Sequence, residues 1–153
     1  MSPQGQSKVR NQRVVAAVTA FTGGRLKIES ENPFAATFES SNGLGLLVTH
    51  ESLPSHDVSV AALSGWIAHP MRQSAELDHW VATISRSLLG ASLSCLDATP
   101  NHGYVVEVRT SLLADCIDEK TFSLAVDVLE MATAVALRDL HAIESPWARP
   151  IRP

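Results

Sequence analysis

The sequence predicts an α+β domain with the element order α-β-β-β-α-β-β-α and helices packed on one face of a five-stranded, mostly antiparallel sheet. Stretches with period-2 alternation come in runs, and single stretches with apolar residues at helical spacing separate these runs. That arrangement favours α+β over a parallel α/β fold. With 153 residues, of which 45% are hydrophobic, the chain can bury one core.

The first element is a predicted helix from Ser7 to Phe21, after a polar segment, residues 1–6, that we expect to be disordered. Gly23-Gly24 ends this helix because glycine readily adopts the left-handed conformation of a helix C-terminus. A short lead-in at Leu26–Ser30 follows. The apolar residues that indicate the helix are Val9, Val14, Val15, Val18 and Phe21.

A meander of three strands comes next. Phe34–Ser40 alternates between larger apolar and smaller or polar residues, and Leu44–His50 returns after Asn42-Gly43. Asn-Gly between two strands predicts a hairpin with a type I′ turn, whose two central residues both need positive φ. Residues 54–57 are predicted to turn the chain into a third strand, Val58–Ala68.

The second half is predicted to consist of a helix, two strands and a last helix. Ser74 is expected to cap a helix at Ala75–Leu89, since its hydroxyl can accept from a first-turn N–H. Strands follow at Leu93–Ala98 and Gly103–Leu113, with a turn at residues 100–103 between them. Asp118 is expected to cap the last helix, which runs to His141.

The last helix carries more apolar residues than a helix needs in order to pack on a sheet through one of its faces. Besides a core stripe that includes Phe122 and Leu129, a second row consists of Leu124, Val128 and Met131. The Pro-rich tail, residues 143–153, is not expected to be helical because proline breaks helices. We therefore predict a single domain over residues 7–142, with a tail that is either loose or docked.

Charge and composition exclude several functional classes. The net charge of −4 does not favour a nucleic-acid partner, which needs a dense positive surface. No apolar run approaches the roughly 20 residues of a membrane span, so we expect no membrane partner and a cytoplasmic location. Cys95 and Cys116 lie far apart and have no metal-ligand spacing, and we interpret them as reduced, partly buried thiols.

Motifs for catalysis are weak. The six histidines form no HExxH pattern, and His56-Asp57 is best interpreted as part of a turn. Ser64-Gly65 lacks the glycine two places before the serine that a nucleophile elbow requires, and Gly23-Gly24 lacks the lysine of a phosphate loop. We therefore predict that the chain is not an enzyme and uses no cofactor or metal. A small enzyme would require a cleft with a perturbed titratable group.

The element order resembles the small effector chaperones of bacterial type III secretion and the YbjN-like proteins that share their architecture. The resemblance covers about residues 7–142. Four segments carry it. The first is the opening helix with the meander of Phe34–Ser40, Asn42-Gly43 and Leu44–His50, and the second is the strand Val58–Ile67 with the helix Ala75–Leu89. The third is the turn Asn101-His102-Gly103 before a strand that ends in Ser111-Leu112-Leu113, and the fourth is Asp118–Phe122, which opens the final helix.

The resemblance implies a twofold homodimer that holds the extended N-terminal segment of a secreted effector and keeps it export-competent. A YbjN-like regulatory or accessory protein-binding domain without a secretion client is the alternative. Core packing would explain the apolar residues of the middle helix equally well. The implied client-binding residues are Val14, Val18, Phe34, Phe38, Leu46 and Val48. The implied dimer residues are Leu77, Trp80, Ile84, Leu88, Leu93 and Leu96.

Overall fold

The computed structural model describes residues 2–53, 55–67, 70–97 and 103–151. Within these residues the chain has three α-helices, two short 3₁₀-helices and six strands. In chain order they are α1 (Pro3–Thr22), β1 (Lys27–Glu31), β2 (Phe34–Glu39), β3 (Gly45–Leu53), β4 (Val58–Trp66), α2 (Ala75–Ser87), β5 (Ser92–Asp97), β6 (Tyr104–Leu113), a 3₁₀-helix (Ala114–Cys116), α3 (Glu119–Ala142) and a 3₁₀-helix (Pro146–Ala148).

The predicted α+β class is confirmed, but the predicted five strands are wrong. The strands form a six-stranded antiparallel sheet in the order β1-β2-β3-β4-β6-β5. The additional strand is the segment that we expected to be only a lead-in. It pairs with β2 from Lys27↔Thr37 to Glu31↔Phe34, and its register shifts between Ile28 and Ser30. Most of its side chains are exposed, so it lacks the apolar alternation by which strands are found in a sequence.

The first helix begins at Pro3, within the segment that we expected to be disordered. Ser2 caps it, because its hydroxyl accepts the N–H of Gly5 at 3.1 Å, and proline is well suited to the first helical position. At the other end the N–H of Gly24 donates to the carbonyl of Thr19 at 3.1 Å. Gly23 has a φ of 61°, so the predicted glycine end is confirmed.

The β2–β3 hairpin is confirmed, but its predicted type I′ turn is wrong. Ser40 donates to the carbonyl of Leu44 at 2.8 Å, and Gly43 donates to the carbonyl of Ser40 at 3.0 Å, so residues 41–43 form the loop. Of these three residues only Gly43 has a positive φ, 81°. The connection is therefore a three-residue loop with glycine in the left-handed position, the second common way to close a hairpin.

The chain divides into two compact units, Met1–Ser64 with Thr110–Asp127 and Gly65–Arg109 with Val128–Pro153. In the first unit an aromatic cluster lies where α1, β2 and α3 meet. The ring centroids of Phe21 and Phe122 lie 5.3 Å apart, and those of Phe38 and Phe122 lie 5.8 Å apart. Phe38 and Phe122 are buried, so these edge-on and tilted contacts belong to the core of this unit.

In the second unit α2 packs beside β5, and Trp80 contacts α3. Ser74 caps α2 as predicted, accepting the N–H of Leu77 at 3.1 Å, although the helix ends at Ser87 rather than Leu89. The N–H of Leu93 donates to the hydroxyl of Ser85 at 3.1 Å. The indole N–H of Trp80 donates to Oδ2 of Asp139 at 2.7 Å.

Asp118 caps α3, as predicted. Its carboxylate accepts the N–H of Thr121 at 2.8 Å, and the hydroxyl of Thr121 accepts the N–H of Asp118 at 2.9 Å. This reciprocal arrangement satisfies a helix-start donor and the N–H of the capping residue together. It also lowers the pKa of the Asp118 carboxyl, chiefly through the backbone hydrogen bond from Thr121.

The C-terminal segment is docked in the second unit. Met71 bridges both Tyr104 and Pro150, and the N–H of Ile151 donates to the carbonyl of Pro70 at 2.8 Å. Contrary to expectation, the segment includes a helical turn at Pro146–Ala148. The predictions that involve Met1, Pro54, Ala68, Ala98, residues 100–102 and residues 152–153 lie outside the described residues.

Candidate functional site

The six residues that we expected to bind a client are all buried in the chain itself. Their side chains are 7% exposed or less, so the expectation that they form an open apolar surface is wrong. In β2 and β3 these residues lie on the face that α1 covers, since the ring centroid of Phe21 in α1 lies 6.1 Å from that of Phe38. Phe38 pairs directly with Leu46 of β3. The six residues are Val14, Val18, Phe34, Phe38, Leu46 and Val48.

The neighbouring residues on β2 and β3 point to the opposite face and are only half-buried. Ala35 pairs directly with Thr49, and Thr37 pairs with Leu47. In an antiparallel pair, residues directly opposite share a face, so these four side chains form one patch, which we call the β2–β3 outer face. The sequence showed the alternation correctly, but the larger apolar residues mark the core and not the available surface.

The predicted dimer residues are divided between the core and the surface. Leu77, Trp80, Ile84 and Leu93 are buried, Leu88 is half-buried, and Leu96 is 43% exposed. A side chain that is buried within its own chain adds little area to a contact with a second copy. Core packing, the alternative left open by the sequence, therefore accounts for four of the six.

Strand β5 lies at an edge of the sheet and has features that favour pairing with another strand. It pairs with β6 residue by residue from Ser92↔Arg109 to Asp97↔Tyr104, without a register shift. No charged residue precedes Asp97 in the strand. Edge strands that avoid pairing usually carry charges, proline or a bulge, so β5 is an unguarded edge.

Exposed leucines stand at both ends of this edge. Leu89, in the connection before β5, is 94% exposed, and Leu96 is 43% exposed near the other end. The helix predicted from the sequence ended at Leu89, and this residue was not among the expected dimer residues. Its position directly before Gly90, which has a φ of 79°, was the signal that it lies outside the helix.

A buried hydrogen-bond network centred on His50 is a second feature that the sequence did not predict. Nδ1 of His50 lies 3.0 Å from Oδ1 of Asn11, and Nε2 lies 2.8 Å from Oγ of Ser59. Asn11 donates its amide to the carbonyl of Glu31 at 2.9 Å and accepts the backbone N–H of Phe34. All three side chains of the network are 8% exposed or less.

The surroundings of His50 favour the neutral form of its ring. Because the Asn11 oxygen accepts, Nδ1 of His50 donates, and in the neutral ring Nε2 then accepts from the Ser59 hydroxyl. Burial lowers the pKa of His50, and the positive charge of Arg10 lowers it further. The order of serine, histidine and amide matches that of a hydrolytic triad, but Ser59 is only 5% exposed. We therefore interpret the network as part of the core.

Arg10 connects α1 to two other segments of the first unit. Its guanidinium contacts Asp115 at 2.9 Å and Asp57 at 3.2 Å. The hydrogen bond to Asp115 raises the pKa of Arg10, and the same bond lowers the pKa of Asp115. Both aspartates are exposed, so this ion cluster fixes the position of α1 at the surface and is a weak contributor to stability.

The two cysteines are free thiols in different surroundings. Cys95 is half-buried on β5 and Cys116 is exposed. Burial raises the pKa of Cys95, and the negative charge of Asp78 raises it further. A raised pKa keeps the thiol protonated and disfavours the thiolate that acts as nucleophile or metal ligand.

The described residues include neither a cluster suited to a metal ion nor a membrane-spanning helix. In the parts of the chain that the structure describes, no group of three or more His, Cys, Asp or Glu side chains could hold a metal ion. No helix in those parts is both long enough and apolar enough to cross a membrane. Comparison of the chain with protein-family models, with curated proteins and with solved structures finds no match.

Proposed function

We propose that this chain is a cytoplasmic, homodimeric protein-binding domain of the secretion-chaperone type. It would hold an extended segment of a secreted effector and keep that segment export-competent for type III secretion. The observation that carries this proposal is the unguarded edge at β5, with exposed Leu89 and Leu96 at its two ends. The α+β fold with its antiparallel sheet is consistent with the resemblance noted in the sequence.

Self-association through β5 follows from the symmetry of an antiparallel pair. When two copies of a strand pair antiparallel about a twofold axis, each end of one strand meets the opposite end of the other. When all six residues of β5 pair in this way, Leu96 of one protomer lies opposite Leu93 of its partner. The pairing thus removes the exposed Leu96 of each protomer from water, and burying apolar surface is the main driving force for association.

The β2–β3 outer face, consisting of Ala35, Thr37, Leu47 and Thr49, is the surface that we propose for the client. It lies on the two strands implied by the resemblance, but on the face opposite to the buried phenylalanines. Short apolar and hydroxyl-bearing side chains give a flat surface on which an extended peptide can lie. Half-buried side chains on regular strands also hold their positions before a client binds, and such preorganisation favours affinity.

The self-association part is tested by light scattering coupled to size-exclusion chromatography over a range of protein concentrations. The wild-type chain should have the mass of a dimer, and Leu96→Asp should be monomeric because a charge cannot be buried unpaired at low cost. Met131→Asp is the matched control, since Met131 is 68% exposed on α3 and outside the proposed interface. A monomeric wild-type protein, or equal effects of the two variants, would contradict the proposal.

The client part is tested with a photo-crosslinking residue at Leu47 and, as control, at Leu124, which is 55% exposed on α3. Crosslinking in the native cell should attach an exported protein at Leu47 only, through its N-terminal segment. The purified client should then bind the wild-type chain at least about tenfold more tightly than it binds the Leu47→Asp variant. A specific partner that is not exported would favour the YbjN-like alternative. Identical crosslinks at both positions would argue against the β2–β3 outer face.

A further inference from the structure

A cavity of about 580 Å³ lies in the second unit, beside the start of α2. Arg72 and Ser74 line one side, and the C-terminal segment from Pro146 to Ile151 supplies the other lining residues. This volume falls within the range of roughly 300–1,000 Å³ that is typical of small-molecule sites. The cavity contains none of the residues proposed above for self-association or client binding.

The walls of this cavity are held in place by buried neighbours and backbone bonds. Met71, directly before Arg72, is fully buried, and Ala148, directly before Arg149, is 1% exposed. Arg149 donates its N–H to the carbonyl of Pro146 at 3.2 Å. Both arginines therefore extend from fixed backbone positions, which reduces the entropy lost when they bind a ligand.

The charge of the cavity is positive although the chain as a whole is negative. Arg72 and Arg149 are the charged side chains among its described lining residues, which include no carboxylate. In the described part of the chain neither arginine forms an ion pair. Ser74 uses its hydroxyl as an acceptor for the cap of α2. Arg149 donates from Nη1 to the carbonyl of Ala148 at 3.4 Å, which leaves its other guanidinium N–H groups and those of Arg72 for a ligand. Guanidinium binds phosphate through two parallel hydrogen bonds.

Trp147 supplies a flat apolar surface in the same cavity, with Pro146 and Pro150 on either side of it in sequence. Its side chain is half-buried, so part of the indole remains accessible to a ligand. Aromatic rings stack on indole in an offset arrangement. We infer that this cavity binds a small anionic molecule that joins a phosphate to a flat ring, with the phosphate on Arg72 and Arg149 and the ring on Trp147.

The test uses three probes: adenosine monophosphate, adenosine and inorganic phosphate. Binding is followed by the indole N–H resonances in nitrogen-proton NMR spectra, with the Trp147 signal assigned from Trp147→Phe. Adenosine monophosphate should shift this signal and bind more tightly than either half. Its affinity should fall as salt is added, because the contact is charged and partly exposed.

Substitution of the two arginines provides the second arm. Arg72→Gln and Arg149→Gln should each weaken binding of adenosine monophosphate about tenfold or more, because each removes hydrogen bonds to a charged group. Arg25→Gln, which removes the same charge from an exposed position in the first unit, should leave the affinity unchanged. A circular-dichroism spectrum identical to that of the wild type verifies that each variant is folded.

The inference is overturned if adenosine monophosphate leaves the Trp147 signal unmoved, or if Arg25→Gln weakens binding as much as the cavity variants do. Equal affinity for inorganic phosphate and adenosine monophosphate would also overturn it, since the ring would then contribute nothing. Leu96→Asp should bind the nucleotide like the wild type. The test of this site and the test of the proposed dimer are therefore independent of each other.

Discussion

His50 is a titratable side chain whose pKa the fold lowers, chiefly through burial. Its two nitrogens are engaged by Asn11 and Ser59, and Arg10 on the same helix as Asn11 opposes a positive charge on the ring. The folded chain thus binds a proton at His50 less readily than the unfolded chain does. This difference links the stability of the chain to pH.

We predict that the free energy of unfolding falls as the pH drops below about 6.5, the ordinary pKa of histidine. In that range the unfolded state binds more protons, so acidification favours it. Urea unfolding at a series of pH values measures the slope of the free energy of unfolding against pH. His50→Gln should reduce the slope, whereas His79→Gln, at an exposed position on α2, should leave it unchanged. An equal slope in the wild type and His50→Gln would show that another group is responsible.

Asn11 satisfies more partners than any other side chain of the His50 network. Asn11→Ala would remove the acceptor for Phe34 and His50 and the donor to Glu31. Since each buried polar group left unsatisfied costs about 1–3 kcal/mol, we expect a loss of at least about 2 kcal/mol in chemical denaturation. Gln12→Ala, at the exposed neighbouring position, should change stability little. Similar losses in the two variants would indicate a helix effect and not the network.

Among the elements, the start of β6 has the least tolerance for a side chain. Gly103 has a φ of 83°, and a Cβ there would collide with the backbone carbonyl of Met71 and the side chain of Ile151. The glycine therefore permits both the backbone conformation and the close approach of the docked C-terminal segment.

We predict that Gly103→Ala destabilises the chain more than Gly24→Ala. Gly24 has a φ of 80° but no atom within 4 Å of the position of a Cβ. Gly24→Ala should thus lower the free energy of unfolding only by the about 1–2 kcal/mol that a side chain costs in the left-handed conformation. Gly103→Ala should lower it further because of the collision. Thermal unfolding measures both, and limited proteolysis should release the C-terminal segment only in Gly103→Ala. Equal melting temperatures would contradict the predicted collision.

How far the sequence predicted the structure depends on the kind of signal that each element carries. Capping residues such as Ser74 and Asp118, and the β2–β3 hairpin, were predictable because their geometry depends on a few neighbouring residues. Strand β1 was not, since its exposed side chains leave no periodic trace. The expected exposure of the six client-binding residues was wrong for a related reason: alternation identifies two faces of a strand but not which face a helix will cover.

For the molecule as a whole, the proposed dimer makes thermal stability depend on concentration. Because association stabilises the folded state by mass action, the melting temperature of the wild-type chain should rise as its concentration increases. Leu96→Asp should melt at a temperature that does not depend on concentration, and Met131→Asp should behave like the wild type. Differential scanning calorimetry at several concentrations distinguishes these outcomes. A wild-type melting temperature that is independent of concentration would contradict the proposed self-association.

The two outer strands of the sheet differ in a way that would limit the proposed self-association to two copies. Strand β1 carries Lys27, Glu29 and Glu31, with an ion pair of 3.4 Å between the first two and a register shift within the strand. Strand β5 has no register shift, and its one charged residue, Asp97, is the last residue of the strand. If both edges were open, β5 of one molecule could pair with β1 of the next and growth would continue into a fibre. With one edge blocked, the proposed self-association through β5 would end at two copies.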